Sequence, residues 1–223
     1  MVQLYSIPTW FDGFNVAFEV LFLLATSIVA FYSFKIYKIS SKKEVKLFGL
    51  AFASLSISYL IIAIVNIYFI SAESGIMMLT IERMMDIKNI AVSSYIFFSI
   101  MGFVTLLYTT LKIERLRIYG LLVLLTFTAI NFSFNKIFMI YFITSLFLLF
   151  INYHYFREYL DKKRVNILLV FLGMIFLFLS NVIFLVETAY ISTYVVSHIL
   201  ELIGYTFIIA SLIKIIKNGK KKK

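Results

Sequence analysis

The chain has 223 residues, of which 62% are hydrophobic and only 14% charged, with a formal net charge of +10 and no cysteine. Soluble domains carry roughly 45–50% apolar and about 25% charged residues, so water is excluded as the solvent for most of this surface. The lack of cysteine excludes disulfides, thiolate catalysis and cysteine-ligated metals.

The sequence divides into apolar runs of about 20 residues, each the length needed to cross a hydrocarbon core of roughly 30 Å at about 1.5 Å per residue. A β-barrel would instead show short segments of alternating polarity. The expected fold class is therefore all-α: a membrane protein built as a seven-transmembrane helix bundle, N-terminus outside and C-terminus cytoplasmic.

Residues 1–12 read as an extracellular N-terminal segment. No basic residue precedes the first apolar run, and the run exceeds a signal-peptide core of about 7–15 residues, so it reads as a retained span. Pro8, the single proline, lies ahead of it and bends no helix. The first span, 13–34, carries Asn15, Glu19, Thr26 and Ser33 at helical spacing, in one stripe that faces the bundle.

The second span, 47–69, carries Asn66, and the third, 88–111, has Asn89 and Asp86 at its outer end. The fourth, 117–135, is the shortest and runs through Asn131 to a tight turn before the fifth, 137–156. The sixth, 165–187, carries Asn181 and ends on Glu187. In the seventh, 194–214, Tyr194, His198, Glu201 and Tyr205 follow one another at spacings of four, three and four and share a face. His198 and Glu201 are placed to pair directly; the carboxylate favours the imidazolium while burial opposes it, so either group is expected to titrate near neutral pH.

Orientation follows from the basic residues, which collect on the cytoplasmic side of membrane spans. Placing the first, third and fifth loops and the tail inside gathers Lys35, Lys38, Lys42, Lys43 and Lys46, then Lys112, Arg115 and Arg117, then Arg157, Lys162, Lys163 and Arg164, and finally Lys214, Lys217 and Lys220 to Lys223. These are 18 of the 21 basic residues, leaving Arg83, Lys88 and Lys136 outside. The net charge is thus a topological signal, and nucleic acid is not an expected partner. Besides the lipid bilayer itself, the basic tail 217–223 is expected to meet anionic lipid, at about 1 kcal/mol per charge. The localisation implied is a prokaryotic cytoplasmic membrane, crossed several times.

An ionisable group inside a span costs roughly 2.5–3.5 kcal/mol on insertion scales, which makes each one a candidate for function. With this topology Glu19, Asn66, Asp86, Asn89, Asn131, Asn181, Glu187, His198 and Glu201 all fall toward the outer half. A polar cavity open outward and a hydrophobic plug inward are expected. The ligand- or ion-binding residues predicted from this placement are Glu19, Asn66, Asp86, Asn181, Tyr194, His198, Glu201 and Tyr205. Plain interhelical hydrogen bonding, worth about 0.6 and at most about 2 kcal/mol per contact, is the alternative for the asparagines.

No catalytic signature appears: there is no Gly-x-Ser-x-Gly, no His-Glu-x-x-His and no phosphate loop. A zinc site would have to draw on Glu19, Asp86, His198 and Glu201. Haem bound by two histidines fails because His154 and His198 lie toward opposite faces, and a retinal Schiff base fails because Lys214 sits at the inner boundary. The chain is expected to be no enzyme and to carry no cofactor.

Two stretches, Phe31-Tyr-Ser-Phe-Lys-Ile-Tyr-Lys38 and Ser197-His-Ile-Leu-Glu-Leu-Ile-Gly-Tyr205, resemble features of seven-helix membrane proteins of archaea and bacteria and of the seven-helix sensor modules fused to some prokaryotic histidine kinases. The resemblance implies a sensor. Those modules continue into a signalling domain, whereas this chain stops at Lys223, so a signal would pass to a separate partner in the cytoplasm or membrane. The expectation is a stand-alone sensor or ligand-binding protein with an outward-facing polar site. A proton- or cation-linked transporter or channel, and a structural subunit of a membrane complex, are the alternatives.

Overall fold

Seven α-helices account for nearly all the described residues, which are 12–73, 81–112, 115–186 and 191–220 of the computed structural model. They are α1 (Asp12–Ser40), α2 (Lys43–Glu73), α3 (Ile81–Thr110), α4 (Leu116–Asn131), α5 (Lys136–Lys162), α6 (Val165–Val186) and α7 (Ile191–Lys220). Six of them, all but α4, are long and apolar enough to cross a membrane. Most run past the expected spans into their basic ends, so that α7 continues to Lys220 and takes Lys217 of the tail with it. The N-terminal segment up to residue 11, Glu187 and residues 221–223 lie outside the described residues.

The fourth helix is shorter than expected. It has 16 residues and ends at Asn131, not 135, which gives it about 24 Å against a core of roughly 30 Å. The cause is local polarity competing for backbone groups. Asn131 Nδ2 donates to Phe127 O at 3.0 Å, Ser133 Oγ donates to Ile130 O at 2.8 Å, and Asn135 caps the next helix by accepting from Phe138 N at 3.0 Å.

Short connections force sequence neighbours to lie antiparallel. Two of them are two-residue reversals, Ser41-Lys42 and Lys163-Arg164, and each turns through a left-handed residue, Ser41 at φ 53° and Lys163 at φ 47°. The reversal closes on a backbone bond from Ser41 N to Tyr37 O at 2.8 Å and from Lys163 N to Tyr159 O at 2.7 Å.

Besides these neighbour contacts, α1 packs on α7 and α3 on α5. The helices α1, α2, α3, α5, α6 and α7 therefore close a ring, and α4 stands outside it against α3 and α5. The ring has no lumen at the end bearing the Ser41 and Lys163 turns: Phe52, Leu55, Ile208 and Leu212 fill it, each no more than 6% exposed. An apolar filling of one half of the bundle is expected, and this end has one. The helices α6 and α7 pack closely where Gly173 and Gly204 face each other with no room for a side chain between them.

Candidate functional site

The polar stripes of α1 and α7 turn inward as their helical spacing requires. On α1, Glu19 is 7% exposed and Thr26 and Ser33 are fully buried. Thr26 and Ser33 bond back to carbonyls four residues earlier, at 2.7 Å each. Their hydroxyls are satisfied within the helix, which leaves Asn15 and Glu19 as the groups on that stripe that must find partners elsewhere.

From the end opposite the Ser41 and Lys163 turns toward the middle of the bundle, the polar groups form three levels. At the first, Tyr194 OH donates to Asn15 Oδ1 and ties α7 to α1. One turn deeper, Asn66 Nδ2 donates to Glu19 Oε1 at 2.5 Å, joining α2 to α1, while Glu19 Oε2 is buried without a hydrogen bond. The third level is a carboxylate held by two phenols. Glu201 Oε1 accepts from Tyr59 OH and from Tyr205 OH at 3.1 Å, and the two phenol oxygens lie 3.0 Å apart. Because α2 and α7 are not neighbours in the ring, Tyr59 crosses its interior to reach Glu201.

His198 occupies the second level. It is 8% exposed, and neither ring nitrogen has a hydrogen-bond partner. The expected direct pair with Glu201 is only an approach: Nδ1 lies 3.9 Å from Glu201 Oε2, beyond hydrogen-bond range. The phenols draw the other carboxylate oxygen inward, away from the imidazole. What surrounds His198 is aromatic. Its ring stacks on Phe18 at 5.1 Å and 19°, lies 5.4 Å from Phe22 and 5.2 Å from Phe184, and takes Tyr194 edge-on at 4.4 Å.

Of the eight predicted residues, the structure brings six together: Glu19, Asn66, Tyr194, His198, Glu201 and Tyr205. Two stand apart. Asp86 is exposed on the first turns of α3, because α3 begins well before its apolar stretch and carries Asp86 at the helix end. Asn181 is buried, but both arms of its amide are engaged: Oδ1 accepts from Thr144 Oγ1 at 2.7 Å and Nδ2 donates to Leu177 O at 2.8 Å. It joins α6 to α5, which is the interhelical role. With Asp86 outside, no group of three or more His, Asp or Glu able to hold a metal forms among the described residues.

The expected open cavity is a packed cluster. Phe18, Phe22 and Phe184 fill the space between the polar groups, and Tyr205 is 1% exposed. Sequence reasoning missed Tyr59, which shares Glu201, as well as these phenylalanines. Tyr95 on α3, within electrostatic range of both Glu19 and Glu201, was missed too. The available signal was helical phase: Tyr59 and Asn66 are seven residues apart on α2 and therefore share a face.

No family model matches the chain, and neither does any curated protein or solved structure.

Proposed function

We propose that the chain is a stand-alone sensor or ligand-binding protein of a prokaryotic cytoplasmic membrane. It spans the bilayer seven times, with its N-terminus outside and its lysine-rich end inside, and the cluster around Glu19, His198 and Glu201 takes up a small polar or cationic ligand or a proton from the outside. The observation that carries the reading is that three of the six buried side-chain polar atoms without partners among the described residues gather here, Glu19 Oε2 and both nitrogens of His198, whereas the others are single atoms on Ser145, Asn152 and Ser180. Leaving such a group unsatisfied costs about 1–3 kcal/mol. A cluster that served only to join helices would be expected to satisfy itself, as Asn181 does.

The apolar filling beyond Tyr205 favours sensing over transport, since the buried hydroxyls there, such as Ser33 and Ser211, are bonded to backbone carbonyls and form no chain of polar groups for a permeating ion to follow. The groups that face the cluster are Glu19 from α1, Tyr59 from α2, Tyr95 from α3, and Tyr194, His198, Glu201 and Tyr205 from α7; α6 contributes Phe184.

The topology is tested first. The chain has no cysteine, so single cysteines can be labelled on a clean background. Phe134→Cys is expected to react with a membrane-impermeant maleimide in intact cells, and Lys42→Cys and Lys217→Cys only after permeabilisation. Labelling of Lys217→Cys from outside would overturn the seven-span reading. For the site, the paired change Glu19→Gln and Glu201→Gln keeps side-chain volume and an acceptor oxygen. The double variant is expected to fold normally yet lose most of the change in unfolding midpoint that pH steps between about 5 and 8 and added monovalent cations produce in the parent protein. A response that survives both substitutions rejects the carboxylates as the site.

A further inference from the structure

His198 sits where a ligand would. Four rings from three helices surround it: Phe18 and Phe22 of α1, Phe184 of α6 and Tyr194 of α7, with centroids between 4.4 and 5.4 Å from the imidazole. That is within the roughly 6 Å over which a cation is attracted to a ring face, and boxes of aromatic rings are how proteins recognise quaternary ammonium groups. A carboxylate stands at the edge of this box, Glu201 Oε2 at 3.9 Å from Nδ1. A second, Glu19, lies on the helix that supplies two of the rings and keeps one oxygen without a hydrogen bond.

We infer that this box is a binding site for a small organic ammonium ion, and that the His198 side chain is its built-in occupant, displaced when the ligand enters. The inference rests on the reading of the outer cluster as a ligand site. Ring contact and the 3.9 Å approach to Glu201 Oε2 are what hold the imidazole in place, since neither nitrogen is hydrogen-bonded. Swinging it outward breaks no hydrogen bond and lets both nitrogens reach water. The vacated space is lined by aromatic rings, Phe18 parallel to the imidazole, Phe22 tilted and Phe184 and Tyr194 steeply inclined to it, with carboxylate oxygen at one side, which suits an alkylated ammonium. It does not suit a metal ion, which needs several converging oxygen or nitrogen ligands. The bond from Tyr194 to Asn15 lies one turn nearer the proposed outer end, so a ligand arriving from there has to pass it.

Removal of a self-occupying side chain improves binding, whereas removal of a merely structural one does not. If His198 fills the box about nine-tenths of the time, vacating it raises apparent affinity about tenfold. Calorimetric titration of tetramethylammonium chloride into the purified protein in nanodiscs, against potassium chloride at equal ionic strength, is expected to give an affinity about tenfold higher for His198→Ala than for the parent chain. His198→Ser serves if the alanine variant does not fold. Adding Phe22→Leu to the vacated variant should return the affinity toward the parent value, and Tyr194→Phe alone should speed association by removing the bond to Asn15.

Saturable binding that is unchanged or weaker in both His198 variants overturns the inference, as does equal binding of 3,3-dimethyl-1-butanol, a neutral molecule of similar shape. Absence of saturable binding in all variants overturns it as well. Loss of response in the Glu19→Gln and Glu201→Gln protein together with no ammonium binding in the His198 variants would sink this inference and leave the ligand-site reading standing. Intact response in the glutamine variant would sink that reading instead.

Discussion

Replacing Gly204 with leucine is expected to be among the most destabilising single changes in the ring. A Cβ added at Gly204 would lie 2.9 Å from Gly173 O and 3.0 Å from Leu177 Cγ. The first of these is backbone, which cannot rotate aside, so α6 and α7 must separate. Overpacking a close-fitting core costs roughly 1–3 kcal/mol and sometimes more, so alanine is expected to fall in that range and leucine at or beyond its upper end. The effect should reach the site, because Glu201 and Tyr205 flank Gly204 on the same helix and reach Tyr59 only in the present spacing.

Unfolding in mixed micelles, followed by circular dichroism, measures this directly. Gly120→Ala on α4 is the control, since a Cβ there meets nothing within 4 Å. Alanine is the better helix former by about 0.5–1 kcal/mol, so that variant should be unchanged or slightly more stable. Equal effects at both positions would show that the α6–α7 contact is not as tight as its geometry indicates.

The second large effect concerns the carboxylate at the deepest polar level. Glu201→Leu removes the acceptor shared by Tyr59 and Tyr205, and the two phenols can then satisfy only one hydroxyl proton between them, across their 3.0 Å separation. A buried donor left without an acceptor costs about 1–3 kcal/mol, and this loss is expected in the single variant. Replacing all partners together reverses the sign. With Tyr59→Phe and Tyr205→Phe added, no polar group remains to be satisfied, and an ionisable side chain that costs roughly 2.5–3.5 kcal/mol to insert is gone. The triple variant should therefore match or exceed parental stability, while failing to respond to pH or cations. The same unfolding assay decides it. A triple variant as unstable as the single one would mean that the network stabilises the bundle outright and that its polarity needs no functional explanation.

Particular residues show why the site was only partly legible. Tyr194, His198, Glu201 and Tyr205 lie on one helix, and the 3.6-residue period alone puts them on one face. Glu19 was legible for the same reason, as a charge in an apolar run. Tyr59 was not. It is 142 residues from Glu201, and among 15 tyrosines and 25 phenylalanines nothing local marks it, or Phe18, Phe22 and Phe184, as lining anything. Asp86 and Asn181 misled for opposite reasons. The first is carried to the helix end, and the second is captured by Thr144 across the α5–α6 hairpin.

What the sequence by itself determined is the helical character of each apolar run, the stripes of α1 and α7 that face the bundle interior, and the apolar filling of one half of the bundle, because all three depend on composition and helical period within one segment. Only the tertiary structure decided that α4 stands outside a six-helix ring and that the polar groups meet in a closed cluster. It alone decided, too, that His198 is enclosed by rings and Glu201 by phenols. Those outcomes depend on which helices become neighbours and at what depth their side chains meet. Neither follows from hydrophobicity, since in lipid every apolar face is equally well solvated and only the close fit of small residues and polar partners separates one packing from another.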